Sequence, residues 1–154
     1  MRTPASVKSH PYHPILVTLP IGLWIFSLYS DLAAHFHWGG DVWRQVAFYT
    51  MAGGIITALI AAVPGFIDLL SINQPKLKRI GIFHMIINLV VVGLYVINLL
   101  LRRGGLTEEP TPIILSGIGV VLFGISGWLG GELVHRYRVS VDEPGQEGDQ
   151  IRPA

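Results

Sequence analysis

Apolar residues run through this chain in four long blocks separated by short polar stretches. The sharpest block lies between Lys78 and Arg103, where 22 residues, 80–101, carry no full charge. At about 1.5 Å per residue they make roughly 33 Å of helix, enough to cross a bilayer. His84, Asn88, Tyr95 and Asn98 interrupt the block. At about 100° per residue they fall within about 40° of one line, to which Arg102 returns. A helix with a single polar stripe turns that stripe toward other helices, not toward lipid.

The remaining blocks supply those helices. Residues 15–36 predict a first span, with Pro14 suited to its opening turn and Pro20 set to bend it. Residues 42–70 predict a second, in which Gly53, Thr57, Ala61 and Gly65, and beside them Gly54, Ala58 and Ala62, recur every four residues. Such stripes of small residues let two helix backbones approach closely. Pro64-Gly65 is expected to kink its end, just before Asp68. Residues 113–134 predict a fourth span, carrying Gly127-x-x-x-Gly131 and Ser126-x-x-x-Gly130 as packing signals. The expectation is an all-α integral membrane four-helix bundle with spans at about 15–36, 42–70, 80–101 and 113–134. Residues 1–14 read as a retained polar tail, because no small-residue cleavage site closes the apolar segment behind them. Residues 139–154, polar and rich in Gly and Pro, are expected to be disordered.

Composition agrees with a membrane bundle. The chain is 51% hydrophobic and 14% charged, against about 25% charged in soluble domains. A net charge of +1, with no basic aromatic-rich patch, gives no ground for nucleic acid binding. There are no cysteines, which removes disulfides, thiolate metal sites and cysteine nucleophiles together. With four spans, one side holds Arg2, Lys8, Lys76, Lys78, Arg79, Arg136, Arg138 and Arg152, and the other Arg44, Arg102 and Arg103. The positive-inside tendency then places both termini in the cytoplasm and the protein, multi-pass, in the cytoplasmic membrane.

This topology sorts the ionisable groups by depth. His10, His13, Asp68, His84, Glu132 and His135 gather toward the cytoplasmic end, and Asp31, His35 and His37 toward the other. Each helix offers one polar or small-residue face: His13, Pro20, Trp24, Ser27, Asp31 and His35 on the first; Trp128, Glu132 and His135 on the fourth. His84 is the leading ligand candidate, since an imidazole inside a span is costly without a role. His13 can meet it at the same mouth, and Glu132-x-x-His135 has the spacing of a helical carboxylate–histidine half-site. A metal site drawn from His84, His13, His135, Glu132 and Asp68 is one reading. In the other, His84 bonds to Asp68 or to a backbone carbonyl and locks two helices together. Asp31, Asn88, Asn98 and Arg102 read as structural polar groups, with Arg102, Arg103 or Asn98 as the expected partner of Asp31. Trp24 and Trp128 read as packing residues.

The order of motifs resembles a known family. His13-Pro14, Pro20 and Asp31 mark the first helix, Pro64-Gly65-Phe66-Ile67-Asp68 ends the second, His84 opens the third, and Trp128-Leu129-Gly130-Gly131 closes the fourth. In this order they resemble the widespread bacterial family of four-helix membrane proteins classed as a domain of unknown function, over about residues 10–141. Members are sometimes fused to, or encoded beside, Rieske-type redox modules. The resemblance implies a redox-associated membrane module that holds haem b, with His13 and His84 as the cofactor-binding residues. It lends nothing to His135, because members often carry Tyr there and His at the place of Tyr137. A second histidine common in the family is replaced here by Thr18.

The function expected is therefore a b-type-cytochrome-like electron-transfer module, exchanging electrons with quinone or a redox partner protein and able to self-associate in the bilayer. The alternatives are a haem-free metal-binding or proton-coupled module, and a non-catalytic assembly subunit.

Overall fold

A computed structural model describes residues 4–7, 10–40, 42–102, 110–137 and 139. Arg2, Lys8, Arg103, Arg138 and Arg152, Glu108 and Glu109 with the rest of 103–109, and the carboxy-terminal stretch expected to be disordered, save Val139, lie outside the described residues. Four helices long and apolar enough to cross a membrane make up the fold, covering Tyr12–His35, Val42–Ser71, Pro75–Leu101 and Thr111–Arg136.

Local chemistry sets where each helix begins and ends. The first span is broken in two, α1 (Tyr12–Leu16) and α2 (Thr18–His35). Pro20 explains the break, because its ring crowds the carbonyl four residues back, that of Leu16, and it offers that carbonyl no N–H. The Thr18 hydroxyl meanwhile donates to the Ile15 carbonyl at 2.7 Å. At its far end α2 stops in a Schellman motif: Trp38 N–H donates to Ala33 O at 2.8 Å and His37 N–H to Ala34 O at 3.2 Å. His37 holds the left-handed position, φ 59°.

α3 (Val42–Ser71) is continuous despite Pro64. α4 (Pro75–Leu101) starts five residues before the expected span, with Gln74 extended before the proline and Pro75 in the first turn. Lys76, Lys78 and Arg79 thus extend the helix beyond its apolar stretch. α5 (Thr111–Gly131) opens at Thr111-Pro112 and runs into a π-helical turn, Glu132–Arg136. Before α1, strand β1 (Ser6–Val7) pairs antiparallel with β2 (His10–Pro11), so the stretch read as a polar tail is partly folded.

α2 lies along α3, and α4 along α5; α3–α4 and α2–α5 contacts close the ring. Between 17% and 28% of the most apolar stretch of each span is buried within the chain, which leaves the rest for lipid. Ile25, Leu59, Val63, Leu89 and Val121 are more than half exposed. Serine and threonine hydroxyls inside the apolar helices are satisfied on carbonyls, as with Ser27 on Ala47 O and Thr57 on Gly53 O.

The core is built in layers. In the middle, Trp24 of α2 and Tyr95 of α4 stack with centroids 4.2 Å apart and planes at 6°. Phe123 of α5 meets the indole edge-on. Gly54 of α3 and Gly119 of α5 flank the pair so closely that a Cβ on either would fall against the indole or the phenol ring. Seven residues further along, Asp31 and Arg102 form a second layer. Both guanidinium NH2 groups of Arg102 donate to the Asp31 carboxylate, at 2.7 and 2.6 Å, and its Nε donates to Asn98 Oδ1 at 3.0 Å. Asn98 Nδ2 donates in turn to Pro112 O and Ser116 Oγ. The pair is 6% exposed on each side chain, and Arg102 also sits at the C-terminus of α4, where the helix dipole favours a cation.

Candidate functional site

The third layer lies eleven residues from the middle one, in the opposite direction. Four positions of the middle layer have counterparts there: Trp24 becomes His13, Tyr95 becomes His84, Gly54 becomes Gly65, and Gly119 becomes Gly130. Eleven residues make three helical turns within about 20° of true register, which keeps the four positions pointing inward. The structure places all four together. A Cβ on Gly65 would fall on the His13 ring, and one on Gly130 would approach the His84 ring to 3.1 Å. The glycines of the Pro-Gly-x-x-Asp and Trp-Leu-Gly-Gly motifs are therefore the space in which the two imidazoles sit.

The rings do not repeat the aromatic stack. Their centroids are 6.1 Å apart and their planes stand at 89°. Each is held through Nδ1 by a backbone carbonyl of another helix: His13 on Ala61 O at 2.8 Å, His84 on Ser126 O at 2.9 Å. A carbonyl can only accept, so Nδ1 carries the hydrogen in both rings and a neutral ring keeps its lone pair on Nε2. Pro64 helps on the α3 side. It removes the amide that would bond the Ile60 carbonyl, next to the Ala61 carbonyl that accepts from His13.

Around His84 lie Asn88 and Ser126, one residue off the register of the Asn98–Ser116 pair beside Tyr95. Asn88, one turn on, stands where that layer has Leu99, and Ser126 where it has Leu115. Asn88 Nδ2 lies 3.1 Å from His84 Nε2, 2.9 Å from His84 O and 2.8 Å from Ser126 Oγ. The Ser126 hydroxyl is also 2.9 Å from His84 Nδ1.

The structure brings His13, His84 and Asn88 together, and it disperses the rest of the expected ligand set. Asp68 is buried and accepts the Ala5 N–H at 3.0 Å, tying the amino-terminal segment to α3. Glu132 pairs with Arg136 at 2.9 Å, and His135 is exposed. Among the described residues, no group of three or more His, Asp or Glu is arranged to hold a metal ion. The side chain of His10 lies outside the described residues. His35 is exposed and packs edge-on against Phe36.

One expected face is corrected outright. The inward face of α5 is Pro112, Ser116, Gly119 and Ser126, not Trp128, Glu132 and His135. Trp128 is 79% exposed, as an indole in an interfacial belt requires, whereas Trp24 packs in the core as expected. Glu132 and His135 follow Gly131 into the π turn, where polarity reflects the end of the span and demands no buried partner. Sequence reasoning also missed Ser126 as the anchor of His84 and Ser116 as the anchor of Asn98. The signal available was Ser126-x-x-x-Gly130, read as packing when it also carries a carbonyl and a hydroxyl to the histidine.

No curated protein and no solved structure matches the chain. Residues 9–143 match the family described as "Predicted membrane protein (DUF2231)". That stretch contains the four spans and all three layers, and the chain belongs to this family of membrane proteins.

Proposed function

We propose that this membrane protein is an electron-transfer module in which His13 and His84 would hold a b-type haem at the cytoplasmic mouth of the bundle. One observation carries the reading: two imidazoles from separate helices meet with Nδ1 of each donating to a backbone carbonyl, which puts both lone pairs on Nε2. Metal-bound histidines commonly have this arrangement, the far nitrogen donating to a carbonyl that sets ring orientation and raises basicity. The donor set fits in two further respects. The two rings stand 6.1 Å apart, so both imidazoles would serve one site. Gly65 and Gly130 give the two rings the space they occupy.

When bound, haem supplies one-electron chemistry at a potential set by its axial ligands and their hydrogen bonds. This chain's own residues do the rest. Ala61 O and Ser126 O orient the imidazoles, Asn88 and Ser126 tune His84, and the Trp24–Tyr95 layer keeps the bundle packed and dry further along. The mouth gives a quinone or a redox partner protein its approach, and the alternative of a haem-free metal at the same two nitrogens shares these residues.

A second reading has its own observation. Asn88 can satisfy His84 Nε2 with a hydrogen bond at 3.1 Å, which would make the cluster a lock between α4 and α5 in an assembly subunit. Visible spectra separate the three. Wild-type protein purified after haem-supplemented expression should show a Soret band, with α and β bands on dithionite reduction, and His84→Ala and His13→Ala should lose them. Bound metal without a Soret band identifies the metal module; neither leaves the lock. Reporter fusions at Gly39 outside the cytoplasm and at Asn73 inside it are expected for this orientation, and the reverse pattern would move the mouth to the other side.

A further inference from the structure

Asn88 presents a counting problem whose solution bears on how the site is used. Its amide has two hydrogens, yet three acceptors lie within reach: Ser126 Oγ at 2.8 Å, His84 O at 2.9 Å and His84 Nε2 at 3.1 Å. One acceptor is always surplus, and the longest contact is the one to the imidazole nitrogen. Removing Nε2 from the set would leave two hydrogens on two acceptors, both at good distance. Nothing buried would be orphaned.

We propose that Asn88 is a positioning residue that caps the Nε2 lone pair of His84 in the ligand-free protein and yields it to an incoming metal centre, keeping its other two hydrogen bonds. This rests on the ligand reading of His13 and His84 given above. The Nδ1–H tautomer is held from two sides: Ser126 O requires the hydrogen on Nδ1, and the Asn88 amide donates toward Nε2. Ser126 couples the two, since its carbonyl accepts from the ring and its hydroxyl from Asn88. The middle layer, whose ring polar atoms are spent on the Met51 and Ser116 carbonyls, has Leu99 and Leu115 at the two corresponding places. One residue off that register, Asn98 and Ser116 form a similar pair beside Tyr95, but among the described residues the contact to an imidazole Nε2 is made by Asn88.

The consequence is a competition. Ligand binding at Nε2 displaces one donor, so removing that donor should strengthen binding, whereas a residue that merely held the ligand site together would weaken it when lost. The test is a haemin titration of purified, haem-free wild type and Asn88→Ala, followed at the Soret band. The competition predicts tighter binding by Asn88→Ala, on the order of fivefold, the equivalent of one hydrogen bond. Equal or weaker binding by the variant overturns the proposal while leaving the ligand reading intact, and uptake by neither protein overturns both. Because Asn88→Ala can fail to fold, a second measurement uses wild type alone. Nitrogen-15 spectra of the His84 ring should show Nδ1 protonated and Nε2 bare before haemin is added. A protonated Nε2 would mean that Asn88 does not donate to it, and the proposal would fall.

Discussion

The middle layer and the mouth layer occupy corresponding positions of one helical frame and do opposite things with it. Both set a ring from the first span against a ring from α4, between a glycine of α3 and a glycine of α5. In the middle the rings are indole and phenol, stacked at 4.2 Å, with Trp24 Nε1 donating to Met51 O and the Tyr95 hydroxyl donating to Ser116 O. That layer is closed: large, flat and with its polar atoms used. At the mouth the rings are imidazoles, smaller and set edge-on, and each still has a nitrogen whose lone pair no carbonyl claims. Glycine positions that serve packing in one layer thus serve donor placement in the other. Small residues along a membrane helix mark close approach, and what approaches decides whether the layer is structure or site.

Breaking the closed layers should cost most. Asp31→Ala or Arg102→Ala leaves a buried charge without its partner, and a loss of about 3–5 kcal/mol is expected, measured by thermal or denaturant unfolding in detergent. Replacing both partners with apolar residues of similar size should cost far less, because the charges then disappear together. Next comes Gly54→Leu. Its side chain would have to displace the Trp24 indole, and overpacking of this kind costs about 1–3 kcal/mol. The neighbouring Gly53 has only ordinary contact with Leu23, and Gly127 has open space around it, so Gly127→Ala should be silent within about 0.5 kcal/mol. If Gly54→Leu and Gly127→Ala proved equally stable, the layer description of the fold would be wrong.

At the mouth, His84→Ala should remove about 1–3 kcal/mol by leaving the Ser126 carbonyl without its imidazole donor. Gly130→Ala sharpens the comparison further. The added methyl lies 3.1 Å from the His84 ring, so it should turn the imidazole at little cost in stability. A weakened Soret band with nearly unchanged unfolding would separate donor placement from packing at a single methyl group. A loss of stability as large as that of Gly54→Leu would show the two layers to be mechanically alike.

Much of this frame was legible in the sequence. Four uncharged apolar blocks predict four helices, and the stripe on α4 predicts that His84, Asn88, Tyr95, Asn98 and Arg102 share a face. All five do make inward contacts, and matching depth narrows the partner of Asp31 to Arg102, Arg103 or Asn98, of which Arg102 makes the pair. Helix four was harder. In water a polar residue marks the outside of a helix, whereas in a bilayer it marks either the interior or the end of the span. Glu132 and His135 belong to the end, and pattern alone cannot tell the two apart. Gly53 and Gly54, or Gly127 and Gly130, are likewise equivalent to a periodicity argument, because only the neighbouring helix decides which one a ring will cover. The eleven-residue correspondence between layers is visible in the residue numbers, but it gains meaning only once the helices are paired.

The most direct test of the account is the thermal stability of wild type, His13→Ala, His84→Ala and Asp31→Asn in detergent, each with and without excess haemin. A ligand that binds the folded protein raises its stability by about 2.7 kcal/mol at a hundred times its dissociation constant. The melting temperature of wild type should rise with haemin. Asp31→Asn, weaker at the start, should rise by a similar amount, because its defect lies in a closed layer. His13→Ala should rise less and His84→Ala not at all. No rise in wild type, or an equal rise in all four proteins, would contradict a ligand site built on the two imidazoles.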